Sequence, residues 1–181
     1  MKIMLFAATT CVLAFISRNS IFAPGTHGFY RFIAWECLLG VFVLNLGGQS
    51  ASTEARYLTI AGTLLMISLL LVLAALAQLL WSGRQNAARG DKSMLAFERT
   101  TVLVTQGIYR YIRHPMYASL LLLGWGFFFR SPSLAGAVLA VACSAFLLAA
   151  ALVEEAENVG YFGEEYRRYM KRTWRFLPFV L

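Results

Sequence analysis

An all-α integral membrane protein of about five transmembrane helices is the fold class this sequence predicts, and three observations predict it. Of its 181 residues 59% are hydrophobic and only 14% charged, with a mean hydropathy of +0.64, far more apolar than the core of a soluble domain requires. Uncharged runs recur at lengths near the ~20 residues that cross a hydrocarbon core of ~30 Å. The basic residues are confined to a few segments between and after those runs, which is the pattern that sets orientation in a membrane.

The first run, Ile3 to Ser17, has the length of a signal-peptide core. No small-x-small cleavage site follows, because Ser17-Arg18-Asn19-Ser20 runs on to Phe22 and Pro24, so the segment reads as an uncleaved span. His27 comes next, in a short loop with Pro24, Gly25 and Gly28, where a lone histidine is expected to face solvent. The second span, Phe32 to Gly47, carries Glu36 near its start. A carboxylate inside a span marks a site or finds a partner, and pairing with Arg31 or contact with water competes here with a functional role. Tyr57 to Trp81 is the clearest span, ending in a tryptophan suited to the interface. The fourth, Pro115 to Phe129, is short, about 22 Å as a helix. The tight Arg130-Ser131-Pro132-Ser133 turn folds it into an antiparallel hairpin with the fifth, Ser133 to Val153. Cys11, Cys37 and Cys143 each stand alone within a span and read as small core residues, with no metal-ligand spacing. No repeat or interdomain linker is visible. The chain is a single membrane domain, 1–181, with three N-terminal spans in 1–82 and its polar chemistry in 83–181.

An N-terminus outside the membrane puts Arg18 and Arg31, the six basic residues between Ser82 and His114, and the five of the tail on the cytoplasmic side. Only Lys2, Arg56 and Arg130 of the sixteen Lys and Arg are left outside. The net charge of +7 therefore reads as topology plus attraction to anionic headgroups, ~1 kcal/mol per residue near the surface, and not as a nucleic-acid footprint.

The polar residues concentrate at Gly107-Ile-Tyr-Arg-Tyr-Ile-Arg-His-Pro-Met-Tyr117. Before it, the β-branched Thr100 to Thr105 argues an extended segment, and Gly107 supplies a turn. Pro115 suits the first helical position, which puts His114 at the N-cap, with the first-turn N–H groups free to draw a carboxylate. Glu154 and Glu155, with Glu157 after them, return to the level of Arg113 and His114 across the hairpin. Interfacial anchoring and a structural ion pair compete with a pocket at this point. In the tail, Phe162, Tyr166, Tyr169 and Met170 form a stripe opposite Arg167, Arg168, Lys171 and Arg172. Gly163 separates this amphipathic helix from the fifth span, and Pro178 ends it. The expected pocket is cytoplasmic, built by the loop before helix 4, the end of helix 5 and the amphipathic C-terminal helix.

Taken in order, Gly107 to Tyr117, Glu154-Glu155, Phe162-Gly-Glu-Glu-Tyr-Arg-Arg-Tyr169 and Arg175-Phe-Leu-Pro178 resemble the isoprenylcysteine carboxyl methyltransferase family of integral membrane enzymes and their phospholipid methyltransferase relatives. The resemblance covers roughly residues 95 to 181 and implies methyl transfer from S-adenosylmethionine at the cytoplasmic face of a prokaryotic cell membrane. It carries cofactor contacts onto Thr101, Val102, Leu103, Val104, Tyr109, His114, Pro115, Met116, Tyr117 and Glu154, and Tyr166 of the tail stripe is a further candidate. A carboxylate acceptor needs no base, whereas an amine or thiol must lose a proton, for which Glu155 and His114 are the candidates, with Arg113 beside them. One departure matters: carboxyl methyltransferases have an arginine on the substrate side four residues before the first of these glutamates, and here Ala150 stands there. A lipophilic or membrane-embedded acceptor (a carboxylate, an amine or a thiol) is therefore expected rather than a prenylated protein. The NADPH-dependent sterol reductases share an Arg-His-Pro-x-Tyr element but favour Asn after the Pro and Gly-Glu after the Tyr, where this chain has Met116 and Ala118-Ser119. A non-catalytic scaffold of the same fold is the third reading.

Overall fold

The computed structural model describes residues 1–47, 54–82 and 102–177. These form α1 (Lys2–Ile16), α2 (Arg18–Ile21), α3 (His27–Asn45), α4 (Ala55–Ser82), a 3₁₀ turn (Gly107–Arg110), α5 (Pro115–Arg130), α6 (Leu134–Phe162) and α7 (Glu164–Met170). All five expected apolar helices are present. Three of them, α3, α4 and α6, are long and apolar enough to cross a membrane. The other two, α1 and α5, have 15 and 16 residues, which at 1.5 Å per residue is about 22–24 Å.

Small residues set how the helices meet, as expected where lipid competes on equal terms with apolar side chains. Between α4 and α5, Gly126 lies so close to Leu65 that a Cβ on it would come within 2.8 Å of the leucine Cδ2. Ser68 on α4 donates to the backbone carbonyl of Ser119 on α5 at 2.7 Å. Between α3 and α6, Gly40 packs against Leu139 in the same manner. The core lies where α3, α5 and α6 meet, around Ala34, Tyr117, Ala118, Leu147, Ala150 and Phe176, while α4 turns Leu69, Leu70 and Leu73 outward. Ser133 caps α6 by accepting from the Gly136 N–H at 3.1 Å, which makes the α5–α6 connection as tight as the sequence implies.

Several sequence expectations are corrected. α3 starts at His27 rather than near Phe32, and α6 continues past Val153 to Phe162, so all three glutamates stand on the helix rather than beyond it. Phe162 is the last residue of α6, not part of the tail helix, which ends at Met170. His27 does not face solvent. It is 1% exposed, its N–H donates to Glu157 Oε1 at 3.3 Å and its Nδ1 lies 2.5 Å from Glu157 Oε2. The reason is that a helix start leaves its N–H groups without intrahelical partners; Thr26 serves the Phe29 N–H and Glu157, reaching across from α6, serves His27. Glu36 pairs with Thr10, whose hydroxyl donates to it at 2.7 Å, and not with Arg31, which is buried and stacks over Trp35. Cys11 is exposed and only Cys143 is a fully buried core thiol. Pro178 and most of the loop between α4 and the 3₁₀ turn, Thr101 included, lie outside the described residues.

Candidate functional site

The helices run so that the end of α4, the start of α5 and the end of α6 share one end of the bundle, and α7 folds across it. Gly163 makes that fold possible, ending α6 with φ of +60°, a conformation that costs a residue with a side chain. Beyond α7 the chain runs back beside the entrance to α5. The Arg113 N–H donates to the Trp174 carbonyl at 2.8 Å, the His114 N–H to the Arg175 carbonyl at 3.1 Å and the Trp174 N–H to the Tyr111 carbonyl at 3.0 Å. These bonds form the one bridge outside helices among the described residues, joining Ile112 to Trp174. On the other side, Gly107 at φ +59° approaches Gln78 so closely that a Cβ would sit 2.4 Å from its Oε1. The positive φ is what favours glycine in the turn carrying Tyr109, since the Gln78 side chain could swing aside.

A pocket of about 700 Å³, counted to its open mouth, results. Leu79 of α4 and Leu103 and Val104 of the incoming segment form one wall, and Tyr109, Arg113, His114, Pro115, Met116 and Tyr117 form the floor at the start of α5. Glu154, Asn158 and Phe162 line it from α6, and Tyr166 and Tyr169 close it from α7. No side chain caps the first turn of α5, so the positive end of that helix faces the pocket as a docking point for an anion.

The two adjacent glutamates have different surroundings. Glu154 lines the pocket and accepts from the Tyr117 hydroxyl at 2.7 Å, while its Oε1 lies 3.9 Å from His114 Nδ1. Glu155 points away, is buried, and is gripped by two arginines. Arg113 Nε donates to its Oε1 at 2.8 Å, and Arg175 donates from Nε to Oε1 at 3.1 Å and from a terminal nitrogen to Oε2 at 2.8 Å. Arg113 also donates to the carbonyls of Met170 and Thr173, tying the tail to α5. Hydrogen bonding to Glu155 holds the Arg175 guanidinium above its already high pKa. His114 stacks on Tyr117 with ring centroids 5.5 Å apart. Its Nε2 is buried without a hydrogen-bond partner, 3.4 Å from Glu155 Oε1. Burial raises the phenols of Tyr166 and Tyr169 well above the usual tyrosine range, and Tyr169 donates to the Tyr109 carbonyl at 2.6 Å.

Of the residues expected at the site, Leu103, Val104, Tyr109, His114, Pro115, Met116, Tyr117, Glu154, Tyr166 and Arg113 meet around one pocket. Val102 is exposed and outside it, Glu155 stands behind it, and Thr101 lies outside the described residues. Sequence reasoning missed Leu79, Asn158, Phe162 and Tyr169 as wall residues. Asn158 follows Glu154 by four and so shares its helix face, a signal that was available. Leu79 carries no such signal. Ala150 is fully buried in the same core as Ala34 and Tyr117. Glu36 is not among the pocket walls.

Residues 57–165 match the family model described as phospholipid methyltransferase. The match begins with α4, which the motif resemblance had left out, and ends inside α7. No curated protein and no solved structure matches the chain.

Proposed function

The chain belongs to the phospholipid methyltransferase family, whose match spans more than half of it, and from that premise we propose that it transfers a methyl group from S-adenosylmethionine to a lipophilic or membrane-embedded acceptor. The observation that carries the reading is the composition of the pocket. A carboxylate (Glu154), an uncapped helix N-terminus (α5) and aromatic walls (Tyr109, Phe162, Tyr166) face one space of about 700 Å³. Those are the three partners that the ammonium, the carboxylate and the flat base of this cofactor require. When bound, S-adenosylmethionine supplies a methyl group already activated on a sulfonium, so the protein's work is alignment and exclusion of water.

In this proposal Glu154, oriented by Tyr117, takes the α-ammonium or a ribose hydroxyl. The start of α5 takes the methionyl carboxylate. Val104 and Leu103 keep the wall dry, and α7 covers the mouth. An acceptor amine or thiol must give up a proton, and His114, whose Nδ1 lies 3.9 Å from the pocket-lining Glu154, is the group proposed to receive it. Glu155 is held by Arg113 and Arg175, so its proposed contribution is to fix Arg113 and the entrance of α5 rather than to take a proton. With Ala150 at the position where carboxyl methyltransferases carry a substrate-side arginine, the hallmark for a prenylcysteine carboxylate is missing, which favours another lipophilic acceptor. Nine of the twelve described basic residues stand at the pocket's end of the bundle, with Lys2, Arg56 and Arg130 at the other, and the positive-inside rule then favours a cytoplasmic pocket.

The test is calorimetric titration of the purified protein with S-adenosylhomocysteine and with NADPH. The expected result is saturable binding of the first alone, weakened at least tenfold by His114→Ala or Glu154→Ala. Binding of NADPH alone would favour the reductase reading, and binding of neither the scaffold. Radiolabelled methyl donor with a total lipid extract then identifies the acceptor.

A further inference from the structure

Beside the pocket, and sharing Leu103 and Tyr169 with it, a second groove of about 1020 Å³ runs between the 3₁₀ turn and α7. Arg110 lines it from the turn, Arg168 from α7 and Arg172 from the turn just past the end of α7. All three arginines are exposed. None of them has an ion pair among the described residues, whereas their neighbour Arg167 is engaged by Glu164. Glu165 is the single carboxylate on the groove, and the hydroxyl of Thr105 adds a donor. Three convergent guanidinium groups against one carboxylate form a cradle for a doubly accepting anionic oxygen group, since the planar fork matches phosphate geometry.

The level of the groove identifies the source of that phosphate. At this end of the bundle Trp81 is 91% exposed on the last turn of α4, and Tyr111, before α5, and Tyr161, near the end of α6, are exposed as well. Exposed amphipathic rings just past apolar helices mark the headgroup layer of a bilayer. We propose that the groove binds the phosphate of an anionic membrane lipid, with Arg110, Arg168 and Arg172 as its cradle and the lipid chains lying along the apolar helices. This does not depend on the methyl-transfer reading, because the groove uses none of the charged residues assigned to the pocket.

The full chain, purified in a zwitterionic micelle and mixed with equal phosphatidylglycerol and phosphatidylcholine of matched chains, is examined by native mass spectrometry. The expected result is retention of one phosphatidylglycerol in preference to phosphatidylcholine. Arg168→Ala with Arg172→Ala lowers that preference about twenty-fivefold, at roughly fivefold per basic residue, and Glu165→Gln raises it. Arg167→Ala with Lys171→Ala removes the same charge from the same segment outside the groove and leaves the preference within about twofold. Equal loss in both double variants, no preference in the wild type, or displacement of the lipid by millimolar inorganic phosphate would each overturn the proposal. The first would mean diffuse attraction and the last a soluble ligand.

Discussion

Glu154 and Glu155 differ by about 100° around one helix, and that rotation separates a pocket wall from a buried ion pair. Breaking a buried pair by removing one partner costs about 3–5 kcal/mol, because the charge left behind has no compensation. Arg113→Ala is therefore expected to lower the melting temperature in detergent sharply. Glu154→Gln is expected to shift it little while weakening S-adenosylhomocysteine at least tenfold. A melt and a titration on each variant check both, and equal effects on the two quantities would contradict the division of roles. The sequence showed that acidic and basic residues meet at one mouth, because hairpin geometry returns residue 154 to the level of residue 114. It could not show which glutamate faces which way, since both are flanked by the same apolar helix. His27 was misread for a related reason. Its neighbours Pro24, Gly25 and Gly28 signal a loop, and its partner Glu157 is 130 residues away.

At the scale of elements, the apolar runs gave the five helices to within a few residues, except where polar residues continue a helix beyond its apolar stretch, as at Glu154 to Phe162. Helix faces were less legible because lipid-facing and protein-facing sides of a span are both apolar. Gly126 illustrates this. Nothing in its flanks distinguishes it, yet Gly126→Val would press into Leu65 and is expected to destabilise by about 1–3 kcal/mol, measured by thermal denaturation in detergent. Gly62, with open space around its Cβ position, is the matched control. The tail predicts its own pH response. Burial raises the phenols of Tyr166 and Tyr169, so the packed tail favours their neutral form. That contribution is complete below the ordinary tyrosine pKa of about 10 and is lost as pH rises through the higher folded-state values. Hydrogen exchange across residues 164–170 is expected to accelerate, relative to an unstructured reference peptide, above about pH 10 and not between pH 7 and 9.

In the whole molecule, the family match covers α4 to the start of α7, but α3 supplies much of the surface on which α6 rests. Ala34 packs into the same core as Ala150 and Leu147, and His27 is tied to Glu157. A chain lacking residues 1–53 is therefore expected to give no monodisperse species on size exclusion in detergent and no S-adenosylhomocysteine binding. A well-behaved truncated protein would show that the matched region folds alone. The grip on Glu155 also has a consequence for biogenesis. Synthesis proceeds from the N-terminus at about 5–20 residues per second, so Glu155 emerges with Arg113 already made and Arg175, twenty residues later, still to come. During that interval α6 enters the bilayer with a carboxylate only half compensated, and the floor of the pocket is not yet tied down. The newborn helix hairpin can settle in the membrane before the pocket exists, and the pocket is complete only when the tail threads back and closes the second half of the pair.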